Sequence, residues 1–535
     1  MKVSLKKLKA FILSPNISIL VILTLASFLR LYRIQGYMTF LGDEGRDVLV
    51  VYNVLHGDFT LLGPAASVGG FFLGPIYYYL MAPFLWIFNY NPVGPAVMVA
   101  IFGVATVYLL YRFASEFFNK RVGLIAAFLY SVSPLAIAYS RSSWNPNLMP
   151  FFSLSSLYIL YRAVKTNNWK FFLLCGFLLG ICMQLHYLAF FLGAVIADYV
   201  LAINIIQGIY EKSFAKYFVE LLKQYTLIFV GFVLGLSPFL GFEIRHGFQN
   251  IGSIYRFILK SDDTGIGLNF FSNVYDVFFR LFARLVTNFP ASDQIAAGQY
   301  SNIALWYILA LLLGLSSLSI LVYKFIKNFP YSKEKYKKNH EEFLKFNLLF
   351  AWLGVGVILF GFYKKPIYEY YFGFMFVLPF ILAAHALDFL NLKKNLLKIT
   401  SVVVFIALTV VNLYGIPFKY EPNRQLKQVK TIAEFVLDKT EGKPFNFALI
   451  TGGNSDHAYR YFFKLRNQDP VAIEPPPVDP QRKTVTDQLL VVCEGPCQPL
   501  GSPLWEVAGF GRAEITGEWD IIVVKVYKLV HYKDR

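Results

Sequence analysis

Apolar runs of about 20 residues recur along the chain from residue 17 to about residue 415. A helix of that length crosses the ~30 Å hydrocarbon core of a bilayer, where each backbone polar group must find its partner within the segment. The expected fold class is therefore a polytopic all-α membrane protein. Composition agrees, with 56% hydrophobic, 18% aromatic and only 16% charged residues, against about a quarter charged in soluble domains. The net charge of +17 is then a matter of topology, because Lys and Arg in loops set orientation and meet anionic headgroups. No basic-aromatic module points to nucleic acid. The run at 17–34 follows Lys2, Lys6, Lys7 and Lys9 with no small-residue cleavage site after it, as an uncleaved first span would.

Eleven spans are expected, near 17–34, 94–114, 122–139, 149–164, 170–186, 188–206, 224–242, 302–325, 346–363, 369–388 and 399–416. A further apolar run, 71–88, is interrupted by Gly74-Pro75 and Pro83. If it crossed, the basic loops around Lys120, Lys165, Lys216, Lys333 to Lys338 and Lys393/Lys394 would violate the positive-inside rule. It reads instead as a juxtamembrane helix in a first outer loop, 35–93. This parity puts the N-terminus in the cytoplasm and the tail outside, giving a transmembrane domain over 1–416 and an extracytoplasmic α/β domain over 417–535. In the tail, helices are expected over Gln425–Leu437 and Asp456–Leu465, and strands over Phe445–Thr451, Gln488–Cys493 and Asp520–Val530. Cys493 and Cys497 are free to pair if the tail is extracytoplasmic. Thr451-Gly452-Gly453-Asn454 lacks the Gly-Lys-Ser/Thr ending of a phosphate loop, so no nucleotide site is expected.

The stretch Gly42-Asp43-Glu44-Gly45-Arg46-Asp47 follows the first span and opens an amphipathic segment. Asp43 suits a helix cap, and Glu44 and Asp47 suit the positive end of the helix dipole. It equally suits a carboxylate held at the membrane surface as a general base. The expected topology brings four further polar groups to the same side: Ser140 to Asn147, Gln184 to Tyr187, Glu243 to His246, and Tyr363 to Tyr371. Taken singly, Arg141 and Arg245 read as side chains snorkelling to headgroups, His186 as a structural hydrogen-bond partner, and Asn145-Pro146-Asn147 as a turn. Together they suit an acceptor hydroxyl or amine attacking a sugar carried on a lipid phosphate. A base would take the acceptor proton, and cations would stabilise the departing phosphate.

These motifs resemble the GT-C membrane glycosyltransferases, in the branch of protein O-mannosyltransferases and lipid A aminoarabinose transferases. The resemblance rests on Gly42-Asp43-Glu44 after the first span, Gly74-Pro75-Ile76-Tyr77-Tyr78, the basic turn Phe118-Asn119-Lys120-Arg121, and Ser133, Pro134, Tyr139, Ser140 and Arg141. It covers residues 17–250 well, the later spans only as architecture and the tail hardly at all. It implies an inverting enzyme that takes a sugar from a polyprenyl phosphate, with Asp43 as catalytic base and Glu44 beside it. Arg141 would be a substrate- or phosphate-binding group, with Arg245 and His246 as further phosphate contacts. Asp47, Asn145 and Asn147 would contact sugar, Trp144 would stack on a sugar face, and His186 and Glu243 complete the substrate-binding set. Where many members carry a second Asp after that Arg, this chain offers Asn145 and Asn147; an amide is neither a base nor a strong metal ligand. No cofactor is expected, and the case for a divalent metal is weakened.

The expected partners are a polyprenyl-phosphate sugar donor, a protein, lipid or glycan acceptor, and membrane lipids. The competing expectation is a transporter or flippase for lipid-linked saccharides. Transporters place charged groups near the bilayer midplane, whereas here the mid-span regions hold almost none.

Overall fold

The computed structural model describes residues 15–260, 263–296, 298, 302–392 and 395–532; Lys2, Lys6, Lys7, Lys9, Lys393 and Lys394 lie outside them. Among the described residues six helices are long and apolar enough to cross a membrane: Val93–Phe117, Ala189–Glu211, Phe214–Gly235, Ile303–Asn328, Lys333–Phe362 and Asn395–Tyr414. The pair Glu369–Met375 and Leu378–Asn391, bent by 61°, makes a seventh if counted as one span. Each of the other four expected spans also falls on a helix. Pro15–Leu31 and Trp169–Leu185 are apolar helices of 17 residues each. Met149–Thr166 carries Arg162 and Lys165 in its last turns. The expected 122–139 helix is split into Lys120–Val132 and Pro134–Tyr139, because Ser133 precedes a proline and takes an extended conformation. The run 71–88 yields Ile76–Ile87, 12 residues long. At 1.5 Å per residue it reaches about 18 Å, too short to cross.

Two helices approach with almost no side chain between them. Gly176 and Gly180 of Trp169–Leu185 face Gly231 and Gly235 of Phe214–Gly235. A Cβ on Gly176 would lie 1.9 Å from the Ile228 carbonyl oxygen, and one on Gly231 would lie 2.0 Å from that of Leu173. Small residues at four-residue spacing on both helices permit this backbone contact, which drives helix association in lipid by dispersion.

After Tyr414 the chain changes character. Strands β1 (Asn446–Ile450), β2 (Gln488–Cys493), β3 (Ala513–Ile521) and β4 (Val524–His531) form one sheet in the order β1-β2-β4-β3. β1 and β2 run parallel, and the other two pairings are antiparallel. The single strand expected over Asp520–Val530 is instead a hairpin, turning at Ile522-Val523 with Ile522 at φ 54°. The helices Gln425–Lys439 and His457–Leu465 accompany the sheet, and Cys493 is joined to Cys497 in a disulfide at the end of β2.

This small domain is tied to the helical bundle at several points. Phe40 N–H donates to Gln425 Oε1 at 3.1 Å, and the Tyr461 hydroxyl donates to the Tyr90 carbonyl at 2.5 Å. The Tyr37 hydroxyl donates to the Tyr420 carbonyl at 2.9 Å, and the Phe40 ring packs edge-on against Tyr461 and Phe462.

Candidate active site

The acidic stretch forms the N-terminal turn of the helix Gly42–Leu55. Val48, Val51 and Val54 face the core together with Glu44 and Asp47, and Asp43 is left exposed at the start. Glu44 Oε2 accepts the Leu41 backbone N–H at 3.1 Å, satisfying a donor that the helix start would leave orphaned. Arg46 bridges the other two carboxylates, reaching Asp43 Oδ1 at 2.9 Å and Asp47 Oδ1 at 3.0 and 2.8 Å. Asp47 is wholly buried, whereas the Asp43 side chain is 56% exposed. Burial pushes the Asp47 carboxyl up to about 6 against the pull of Arg46. Burial likewise pushes Glu44 up to about 7, only partly offset by backbone N–H groups and reinforced by Asp47 and Asp43. The stretch therefore holds carboxylates in two settings, one open and ion-paired and two dry and hard to ionise.

Glu44 has a consequence for stability. Its carboxyl ionises near 7 when folded, against an ordinary 4.5, so the unfolded chain releases the proton first. Stability is lost as pH rises through that window, by of order 3 kcal/mol once both states are ionised. Glu44→Gln keeps an acceptor for Leu41 N–H and removes the ionisation. It is expected to unfold at a higher temperature than wild type at pH 8 and at about the same temperature at pH 5. Parallel curves at both pH values would show that Glu44 ionises freely.

Asp43 and Glu44 line a cavity of about 650 Å³. Its other walls are Thr39, Tyr139, Ser142, Trp144 and Asn147 from the bundle, with Asn454 and Ser455 from the sheet domain. The wall is internally braced: Ser142 Oγ donates to Thr39 Oγ1 at 3.0 Å, and Asn147 Nδ2 donates to the Ser142 carbonyl at 2.9 Å. Trp144 meets Tyr370 edge-on at 4.5 Å between centroids. Beyond it Tyr370 packs on Tyr371, and Tyr371 on Tyr187. Behind this aromatic partition lie two apolar hollows, of about 390 Å³ and 200 Å³, that share Phe71, Phe190 and Ile254.

The structure gathers Asp43, Glu44, Trp144 and Asn147 around one cavity, with Asp47 linked through Arg46. The other residues expected at the site are engaged elsewhere. Arg141 is buried and donates to the Leu29 and Tyr32 carbonyls, both at 2.8 Å. Its guanidinium lies between the Tyr37 and Phe418 rings. Its two terminal nitrogens satisfy carbonyls at the end of the first long helix, while its buried Nε has no hydrogen-bond partner. Arg141→Ala is expected to cost about 2 kcal/mol or more, seen as a lower unfolding temperature. Lys should recover little of it, because a single ammonium nitrogen lacks the planar fork by which two guanidinium nitrogens meet the two carbonyls.

Asn145 Nδ2 donates to the Leu185 carbonyl at 2.6 Å, and His186 Nδ1 accepts the Leu188 N–H at 3.2 Å. Glu243 is fully buried and accepts from Asn250 Nδ2 at 2.8 Å and Ile251 N–H at 2.9 Å, tying down the helix Gln249–Lys260. None of these three lines the cavity, and each holds a neighbouring segment of backbone. Arg245 and His246 are exposed, at the end of the helix Ser237–Arg245. That helix contributes Phe239 and Leu240 to the smaller apolar hollow.

Sequence reasoning missed Tyr139, Ser142, Asn454 and Ser455. Ser142 lies inside a stretch it had singled out, and Asn454 inside the Gly-Gly turn that it considered only as a phosphate loop. Arg280 and Arg284 flank Glu369 at 3.7 and 3.1 Å and do not line the cavity.

Residues 73–234 match the family described as dolichyl-phosphate-mannose-protein mannosyltransferase. Two Bacillus subtilis proteins, the provisionally named mannosyltransferases YkcB and YycA, are 25% identical over 191 residues and 28% identical over 130 residues. These matches cover 35% and 24% of this chain, and only 27% and 19% of the relatives; the chain thus spans about a quarter or less of the curated relatives it matches. Among solved structures, ArnT from Cupriavidus metallidurans bound to undecaprenyl phosphate superposes with a TM-score of 0.59 at 11% identity, over 97% of this chain and 98% of that one. The oligosaccharyltransferase AglB from Archaeoglobus fulgidus, in complex with an inhibitory peptide and a dolichol-phosphate, gives 0.50 at 14% identity, over 89% of this chain and 69% of that one. With its helical bundle, appended sheet domain and acidic first-loop helix, the chain has the fold of the GT-C membrane glycosyltransferases.

Proposed function

We propose that this chain is an integral-membrane inverting glycosyltransferase that moves a sugar from a polyprenyl-phosphate donor to an acceptor on the extracytoplasmic face. One observation carries the reading. Two adjacent carboxylates, one exposed and one buried, line a roomy cavity, while apolar hollows fit for a lipid chain lie behind an aromatic partition. ArnT and AglB, which share the fold, were solved with undecaprenyl phosphate and a dolichol-phosphate. The Cys493–Cys497 disulfide supports an oxidising, extracytoplasmic setting for the sheet domain and its end of the bundle.

In this reading the acceptor hydroxyl gives its proton to Asp43 as its oxygen attacks the anomeric carbon. The bond from that carbon to the phosphate oxygen breaks on the opposite face, which inverts the configuration. Glu44 holds the first turn of the acidic helix, and Arg46 keeps Asp43 aimed through its 2.9 Å contact. Asn147 and Ser142 offer polar contacts to sugar hydroxyls, and Trp144 offers an aromatic edge. A lipid chain lying over the smaller hollow would bring its phosphate toward Arg245 and His246.

The test uses the full-length protein in vesicles with a panel of radiolabelled polyprenyl-phosphate sugars. Label is expected to leave one donor for protein, glycan or water. If the intact labelled lipid crosses the bilayer and no label is transferred, the protein is a lipid-linked saccharide flippase and the reading fails.

A further inference from the structure

The helix that carries Asp43 and Glu44 starts against the sheet domain. The Gly42 N–H, a first-turn donor with no partner in its own helix, donates to Asn454 Oδ1 at 2.9 Å. The same oxygen accepts the Ser455 N–H at 2.9 Å. At its other end, Asn454 Nδ2 reaches both oxygens of Glu494, at 3.0 and 3.1 Å. Glu494 is held in turn by the Thr451 hydroxyl at 2.9 Å and the Tyr459 hydroxyl at 2.8 Å. It directly follows β2, inside the loop closed by the Cys493–Cys497 disulfide. Both ends of the Asn454 amide are therefore occupied, and the group cannot turn without losing charge-assisted bonds. The approach is also very close, since a Cβ on Gly42 would lie 2.2 Å from Ser455 Oγ.

We infer that Asn454 and Glu494 are positioning residues for the transfer reaction, setting from the sheet domain where Asp43 and Glu44 stand in the cavity. The inference rests on the function proposed above. Docking of the domain does not depend on this clamp, because Phe40–Gln425, Tyr37–Tyr420 and Tyr461–Tyr90 hold it independently. Breaking the clamp should loosen the first turn while the domain stays in place. A displacement near 1 Å at a reacting group is enough to cost up to about a hundredfold in rate.

The experiment compares wild type, Asn454→Asp, Glu494→Gln and the double variant, as full-length protein in vesicles. Two readouts are taken: transfer kinetics with the donor that wild type uses, and amide hydrogen exchange of the peptide covering residues 39–48. Asn454→Asp sets two carboxylates against each other, and Glu494→Gln removes the charge that Asn454 reaches. The double variant restores the bond with its polarity reversed: the amide introduced at position 494 donates to the carboxylate introduced at position 454, which still accepts the Gly42 N–H. Each single variant is expected to lose at least about tenfold in kcat with KM for the donor within about twofold, and to exchange its first-turn amides at least about tenfold faster. The double variant should recover to within about threefold on both readouts. Single variants with wild-type kcat and exchange overturn the inference, as does a double variant no better than the worse single one while limited proteolysis shows the domain still docked. If wild type transfers no sugar from any donor, the proposed function fails; the exchange data then still decide whether the clamp orders the acidic turn.

Discussion

Asp43→Asn is expected to lower sugar transfer by at least about a hundredfold while leaving donor binding and the unfolding temperature nearly unchanged. The substitution is close in shape, and the side chain is 56% exposed at the cavity wall, so an amide meets no burial cost there. Arg46 keeps its two bonds to the buried Asp47, so the local fold has no reason to move. What the variant loses is the ability to take a proton, and a positioned base contributes about 10²–10⁴-fold. Initial rates measured beside donor binding and thermal unfolding would separate the chemical loss from a folding defect. Near-normal transfer by this variant would reduce Asp43 to a helix-end charge. The base would then have to be sought at Glu44, whose value of about 7 is well matched to proton transfer at neutral pH.

The second large effect is expected from Gly45→Ala. A Cβ on Gly45 would lie 2.3 Å from the Ala458 backbone nitrogen and 2.4 Å from its Cα. These atoms belong to the helix His457–Leu465 and cannot swing aside as a side chain would. In an isolated helix the change would stabilise by about 1 kcal/mol. Here the acidic helix must instead back away from the sheet domain, and overpacking of this kind costs about 1–3 kcal/mol or more. The expected result is an unfolding temperature lowered by several degrees, faster proteolytic release of the sheet domain, and transfer reduced more than tenfold. Gly354→Ala is the control: it lies within the helix Lys333–Ile358 with nothing within 4 Å of the added carbon. If the two variants behave alike, the contact between the acidic helix and the sheet domain does not matter to the protein.

Much of the architecture is legible because hydropathy and helix length are local properties. The expected spans fall on helices, with 122–139 and 369–388 broken in two, the run 71–88 yields a helix of only 12 residues, and the strand Gln488–Cys493 is found with the expected ends. The hairpin at 513–531 is hidden because Ile521-Ile522-Val523-Val524 is a continuous apolar run with no glycine or asparagine to announce a turn. The structure places Ile522 at positive φ there, a conformation that β-branched residues seldom adopt. The break at Ser133-Pro134 could have been read from the proline. Arg141, Asn145, His186 and Glu243 look like site residues for a sound reason, since polar groups at the ends of apolar helices need partners. Their partners turn out to be helix-end carbonyls and amides, as helix termini always offer several unsatisfied groups.

By itself, then, the sequence determined that the chain is a helical membrane protein with a small mixed domain after the last apolar helix, and it singled out Asp43 and Glu44, on which the proposed function rests. Apolar length leaves little choice about the first, because burying backbone in lipid is a local requirement. The tertiary structure alone decided which polar groups share a cavity. It brought Asn454 and Ser455 to residues that lie some four hundred positions earlier in the chain. It also drew Arg141 away to the carbonyls of the first helix. The pairing of Asn454 and Ser455 with the acidic helix also needs the close approach at Gly42 and Gly45, where the absence of a side chain carries no hydropathy signal at all.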